Sequence, residues 1–400
     1  MSALPTMEKN ENDVWEKRAL KIVEIRGFLV GFSPSPAIGN ARTFIRRRDF
    51  LLLQLVTDGS ISGWGEVFSS PHAASALIQS RFAGMILGQS PTDYGRLWEA
   101  MLNTVGYDRR GVAMMAISAI DMALHDIAAR SRNISVAALL GGALRDRVFT
   151  YASGPFIADS GQPYAHYAAE AEIYLARGFR AVKPRAGVDP KADGRMALGL
   201  RSLIGADIGL MVDINQGYTA RAAIASARRM EEADLLWIEE PVLPEDIEGD
   251  RTIAAAVPAA IAGGEAWGSL ATFRDFLAKG TISILQPDMT VCGGYTGFAK
   301  VAALAAAYDL PVMPHVFGTV VHQRAALQMA ALVPSRRGGG PAEYPYVEID
   351  ATDNPLLTLG GAMELATDGT VAIPEAPGTG LDLDPERLAP WLTESWRRIP

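Results

Sequence analysis

VFTYASG (148–154), FRAVKPR (179–185), IGLMVDIN (208–215), LLWIEEP (235–241), AAIAGGE (259–265), ISILQPD (282–288) and LPVMPHVF (310–317) are seven short apolar runs at regular pitch. Between them lie helical stretches such as PYAHYAAEAEIYLARG (163–178), GRMALGLRSLIG (194–205), TARAAIASARRMEEA (219–233) and GFAKVAALAAAYD (297–309). Strand–helix alternation predicts a parallel sheet, and this many units close most economically into a (β/α)8-type barrel of the α/β class. A doubly wound open sheet is the alternative, but no Gly-x-Gly-x-x-Gly turn follows any of the runs.

In such a barrel, functional groups gather at the carboxyl ends of the strands. The runs here end in Lys183 and Arg185, Asp213 and Asn215, Glu239 and Glu240, Glu265, Asp288, and His315. The intervals are 26 (239 − 213), 26 (265 − 239), 23 (288 − 265) and 27 (315 − 288), each one strand–helix unit, so one ring of side chains at one mouth is expected. Asp213, Glu239 and Glu265 on adjacent strands would repel one another and could not all ionise cheaply. A hard divalent cation resolves that conflict. Oxygen-only donors with room left for water and substrate fit one Mg2+ better than zinc. Singly, such acids as often cap the next helix; three on successive units favour the metal. Asp288 and His315 lie one unit apart, and a carboxylate bonded to one imidazole nitrogen raises the basicity of the other. A lone histidine is usually structural, but this pair reads as an acid/base dyad. Lys183 and Arg185 alternate along one strand and so both face the mouth, where ion pairs with the acid ring are the simplest role. Trp237, Trp267 and Met211 read as packing.

Working outward, KIVEIRGFLVGF (21–32) and DFLLLQLVTDGSISGWGEV (49–67) have strand character, with Asp58-Gly59 as a turn signal. Residues 72–141 are helical and Ala-rich, AMMAISAIDMALHDIAAR (113–130) being the clearest stretch. An α+β capping domain over 19–147, a barrel over 148–345 and a segment over 346–400 that returns to the capping domain are expected. Residues 1–18 read as a flexible tail without the apolar stretch of a secretory signal. The loop 31–40 has the Gly, Pro and Ser content of a lid. Its neighbours Arg42 and Arg46 are candidates to meet a polar substrate, and His72 to stand on a second substrate-facing loop. His125 and His166 lie in helical stretches and read as structural.

The chain has 400 residues, 49% of them hydrophobic and 20% charged, which suits two globular units. No apolar run approaches the roughly 20 residues of a membrane span. A single cysteine, Cys292, excludes an intrachain disulfide and fits a reducing cytoplasm. A net charge of −8 argues against nucleic-acid binding. A cytoplasmic homo-oligomer that binds neither nucleic acid nor membrane is expected.

These residues also carry a resemblance. VKPR (182–185), VDINQGY (212–218), WIEEPV (237–242), GGEAW (263–267), LQPDMT (285–290) with VCGG (291–294), and MPHVFG (313–318) resemble the barrel of the enolase superfamily, mandelate racemase-like subgroup. GWGEV (63–67), AIDMALHDIAAR (119–130) and LLGGALRDRV (139–148) resemble its capping domain and domain junction. The likeness implies Mg2+-dependent removal of the proton α to a carboxylate through an enediolate, a pattern known for the superfamily. It implies Asp213, Glu239 and Glu265 as metal ligands and His315 with Asp288 as the dyad. Lys183 and Glu348 (in YVEID) would lie at the substrate carboxylate, with Asn215 and Glu240 supporting the ligands from behind. Racemases carry a second lysine where this chain has Arg185. Arginine keeps its proton and is a poor base, so Arg185 is expected to bind a carboxylate or hydroxyl, which favours a one-base reaction.

Dehydration of a sugar acid to a 2-keto-3-deoxy acid, a lyase reaction, is the leading expectation. Racemisation or epimerisation and lactone cycloisomerisation are the same-fold alternatives. A barrel that binds metal and sugar acid without turnover would have a broken triad or base, and both are intact here. Metal-dependent hydrolysis or aldol cleavage would use several histidines or a Schiff-base lysine. The capping domain is expected to select the substrate, a small carboxylate.

Overall fold

The computed structural model describes residues 20–337, 343–361 and 363–400; the expected tail at 1–18 lies outside the described residues. The N-terminal unit is an antiparallel sheet in the order Leu392–Arg398, Ile22–Phe32, Arg48–Thr57, Ser62–Val67. Its third member is buried on both faces because side chains alternate along a strand. Leu51, Leu53 and Leu55 pack with the capping helices, whereas Phe50 and Leu52 join the barrel-side core. Gly63 and Gly65 let the helix Val112–Arg130 lie close against the sheet: a Cβ on Gly65 would fall 1.8 Å from the Ala119 carbonyl oxygen.

That helix corrects one expectation. Its 19 residues are long and apolar enough by length and composition to cross a membrane, the one such helix among the described residues. It is 89% buried between sheet and barrel, and a helix covered on all sides needs no polar face. Its buried acids are all engaged. Asp121 accepts from Thr296 N and Oγ1, and Asp126 from Trp64 N and Thr379 N.

The barrel strands are Arg147–Ser153, Ala181–Lys183, a third split into Gly209–Leu210 and Val212–Asp213, then Ile238–Glu239, Ile261–Gly263 and Ile284–Leu285. Each pairs in parallel with the next. Bridges Leu285–Val312 and Asp288–His315 add the seventh position. The eighth strand was not among the seven runs. Tyr346–Asp350 pairs in parallel with Arg147–Ser153, from Tyr346 opposite Phe149 to Asp350 opposite Ser153. This segment therefore belongs to the barrel and not to the returning segment. The pairing spans about two hundred residues of chain and leaves no local mark. The later strand Leu392–Arg398 does return to the capping sheet, beside Ile22–Phe32.

Tyr151, Met211, Trp237, Ile284, Met313 and Tyr346 form a buried cluster of their own, with Tyr151 and Trp237 edge to face at 5.5 Å. The two units are joined by buried polar contacts. Glu66, at the end of a capping strand, accepts from Thr319 N and Oγ1 and from His322 N, satisfying the start of the helix Val320–Ala330. Arg48 pairs with Asp350 at 2.6 Å and donates to the Phe317 carbonyl.

Candidate active site

Barrel geometry brings Lys183, Arg185, Asp213, Glu239, Glu265, Asp288, His315 and Glu348 into one cluster, linked side chain to side chain. Carboxylate oxygens of Asp213, Glu239 and Glu265 lie within 4.8 Å of one another. Behind them the backbone turns sharply. Asn215 (φ 44°) and Glu240 (φ 39°) both adopt the left-handed conformation, which costs a non-glycine residue strain and is tolerated where surroundings fix it. Asn215 donates to Asp213 from N (2.8 Å) and Nδ2 (2.9 Å). Glu240 is held by Gln216 Nε2 at 2.8 Å. Asn215 thus holds Asp213 directly, whereas the contact of Glu240 is with Gln216. Glu239 accepts from Trp237 Nε1 (2.9 Å) and Gln286 Nε2 (2.7 Å) on the same oxygen.

Lys183 is fully buried. Its Nζ stands 2.6 Å from Glu239 Oε1, 3.1 Å from Glu348 Oε1 and 4.0 Å from Asp213 Oδ2. Burial disfavours the ammonium, but Glu239 and Glu348 outweigh it and hold the proton well above the ordinary range. Arg185 Nη1 lies 3.2 Å from Asp213 Oδ2, Nη2 donates to Ser153 Oγ, and the guanidinium sits 4.9 Å over the Phe156 ring. Burial is again outweighed, here by Asp213, so Arg185 stays charged.

Two cations do not neutralise so many acids. Burial pushes Asp213 up despite Arg185. Burial raises Glu265 to about 7, against the pull of His315 and with repulsion from Asp213 and Glu239. Two buried carboxylates and a partly exposed one, acceptor-only and with unbalanced charge, are a donor set suited to a hard divalent cation, and their chemistry fits Mg2+.

His315 Nδ1 bonds Asp288 Oδ2 at 2.7 Å, while Nε2 is 3.2 Å from Glu265 Oε2 and 3.7 Å from Glu348 Oε2. Burial opposes the imidazolium, but Glu265, Glu348 and Asp288 push the His315 pKa up to about 10. Asp288 Oδ1 accepts from Thr290 N (2.6 Å) and Oγ1 (2.7 Å). Glu348 accepts from Val316 N, and burial is outweighed there by Lys183 and His315, which keep it ionised.

The other three candidates are not brought into this cluster. Arg42 is exposed, and Arg46 pairs with Asp159 at 3.1 Å on the surface. His72 is exposed in the first turn of the helix Pro71–Leu77, not on a loop. Charged side chains with no buried partner stay hydrated. A cavity of about 560 Å³ is lined by residues 34–38 of the loop 31–40, Phe156 and residues 351–353. Sequence reading missed Tyr151, Ser153, Gln286 and Thr290, and took Trp237 for packing alone. Trp237 and Glu239 are two apart on a strand and share a face, a signal that was available.

Comparison with known proteins agrees with this architecture. Residues 29–141 match the mandelate racemase/muconate lactonizing enzyme N-terminal domain, and residues 166–387 match the enolase C-terminal domain-like family. D-galactarolactone cycloisomerase of Agrobacterium fabrum is 34% identical over 92% of this chain and 98% of its own. D-galactonate dehydratase of Xanthomonas euvesicatoria is 29% identical over 87% and 94%. Among solved structures, a racemase from Streptomyces coelicolor with bound magnesium superposes with TM-score 0.83 at 30% identity, covering 93% of this chain and 100% of that one. Sheet, barrel, acid ring and relatives agree: the chain belongs to the mandelate racemase/muconate lactonizing enzyme family of the enolase superfamily.

Proposed function

We propose that the protein removes the proton α to the carboxylate of a sugar acid in a Mg2+-dependent reaction and expels the β-hydroxyl as water, leaving a 2-keto-3-deoxy acid. The observation that carries this reading is the asymmetry of the site. His315 is oriented by Asp288 through Nδ1 and would offer Nε2 to the reacting carbon, whereas the cation beside Asp213, at the second lysine position of the racemases, is Arg185, which cannot act as a base.

Asp213, Glu239 and Glu265 would hold the metal. Mg2+, when bound, would supply Lewis-acid stabilisation of the charge that develops on the substrate carboxylate and offset the pull of Glu265 on the imidazolium. His315 Nε2 takes the α-proton, and the C–H electron pair becomes the new carbon–carbon double bond. The β-carbon–oxygen bond breaks, and the imidazolium returns its proton to the leaving oxygen, which departs as water. The resulting enol tautomerises to the 2-keto acid. Lys183, charged and buried, is placed to stabilise negative charge on the carboxylate. Arg185 binds a substrate oxygen from the side of Phe156.

The 34% identity to a lactone cycloisomerase favours a second reading. There the same proton is removed, but the leaving oxygen is part of a ring and stays in the molecule. Incubation with mono- and diacid sugars and their lactones, with Mg2+, separates the two by mass. Dehydration loses one water and cycloisomerisation loses nothing. Absence of a 2-keto product from every acid and lactone would refute the proposal.

A further inference from the structure

Behind the dyad lies a second imidazole that the mechanism above leaves unused. His322, in the first turn of the helix Val320–Ala330, is fully buried, with Nε2 3.4 Å from Asp288 Oδ1. Neither ring nitrogen has a hydrogen-bond partner among the described residues. Its backbone N donates to Glu66 Oε2 at 3.0 Å, which fixes the start of the helix. A Cβ on Gly318 would lie 2.8 Å from His322 Nδ1, so the ring packs against bare backbone on its far side. Two carboxylates face the ring: that of Glu66, whose charge His322 favours from the Nδ1 side, and that of Asp288, which Nε2 approaches directly.

Packing alone does not account for a histidine here. An apolar side chain of similar volume would fill the space without burying two polar nitrogens, whose desolvation is costly unless one of them is used. Asp288 has two oxygens with different tasks. Oδ2 meets His315 Nδ1, and Oδ1 is held by Thr290 N and Oγ1. All of these contacts act on a carboxylate whose rotation would misdirect His315.

We propose that His322 is a positioning residue for the dyad: its Nε2–H, together with Thr290, holds Asp288 so that Oδ2 stays on His315 Nδ1 and His315 Nε2 stays directed into the acid ring. The proposal deepens the reading of His315 as the base and rests on it. The small displacement that turns the 3.4 Å approach into a donated hydrogen bond locks the carboxylate from behind.

The test compares His322→Leu with His322→Gln, which keeps an N–H donor at similar reach. The chain has five histidines, so 15N-histidine labelling can resolve the ring nitrogens of His315 in the Mg2+-loaded protein without any substrate. The expected result is a His315 Nδ1–H that exchanges faster with solvent in His322→Leu and matches wild type in His322→Gln. On whichever sugar acid is turned over, His322→Leu should lower kcat about tenfold with KM nearly unchanged, and His322→Gln should restore most of it. A His315 spectrum and a kcat unaltered in His322→Leu would overturn the proposal. If no sugar acid reacts, the functional reading fails, while the spectrum still decides the positioning role. Should His322→Leu not fold, His322→Asn replaces it. Its shorter amide falls short of Asp288, and behaviour identical to His322→Gln would overturn the proposal equally.

Discussion

Replacing Lys183 by methionine removes a cation from a pocket crowded with carboxylates and leaves the volume nearly unchanged. The ammonium stands 2.6 Å from Glu239 and 3.1 Å from Glu348, both fully buried. Deleting one partner of a buried ion pair costs about 3–5 kcal/mol, because the remaining charge is left uncompensated. Unfolding entropy of about 2.1 cal/mol/K per residue gives a chain of this length about 0.8 kcal/mol/K, so the metal-free variant should melt roughly 4–6 °C below wild type. Mg2+ then separates this account from a simple packing defect. With one positive charge fewer, the site should bind the cation more tightly, and each tenfold gain in affinity adds about 1.4 kcal/mol, or roughly 2 °C, to the metal-induced rise. The assay is thermal unfolding by circular dichroism after chelation and again with excess Mg2+. Glu239→Gln is the control that should lose the Mg2+-induced rise. Equal melting of Lys183→Met and wild type without metal, or an equal Mg2+ response, would refute the charge-balance argument.

His315→Asn should abolish exchange of the substrate α-proton with solvent deuterium, and Asp288→Asn should slow it by about a hundredfold, both read by NMR; wild-type exchange in His315→Asn would move the base elsewhere. Arg185→Lys places a titratable amine across from His315 and should permit exchange from the opposite face, visible as inversion at the α-carbon. Asp250 lies away from the acid ring, its Oδ1 has no hydrogen-bond partner among the described residues, and burial with repulsion from Asp246 raises its pKa from 3.8 to about 7. A raised acid binds protons more readily folded than unfolded, so it lowers stability as pH climbs from about 4 to about 7 and the penalty persists above that. Asp250→Asn should remove that slope and gain at most about 4 kcal/mol at neutral pH, measured by urea titration across the interval.

Much of the acid ring was legible because a parallel barrel repeats at the pitch of one strand and one helix, and polar residues interrupt apolar runs where strands meet solvent. Contacts between strands were harder to read. Gln286 reaches Glu239 past the one strand between them, Ile261–Gly263, and nothing in the spacing of 47 residues announces it. Arg48 was not singled out, yet alternation places it with Phe50 and Leu52 on the barrel-facing side of the strand Arg48–Thr57, while Arg46 precedes the strand and pairs with Asp159 on the surface. The eighth strand escaped because its partner lies near residue 150 and pairing over such a distance carries no periodic signature. Arg42, Arg46 and His72 were singled out by composition alone, which reports that a segment is polar but not which way it folds.

The strand Leu392–Arg398 lies on the edge of a sheet whose next member begins at Ile22, and the eighth barrel strand lies beside the first. Both seams of the molecule therefore close late against early residues. During synthesis the strand Ile22–Phe32 emerges long before its outer neighbour exists and presents a row of unpaired amides and carbonyls, a template for other chains. A chain interrupted before residue 392 would keep that edge bare however well its barrel had formed. Incomplete copies are in this way marked by stickiness, and chaperone dependence should be concentrated in the interval between the appearance of the first strand and the arrival of the last.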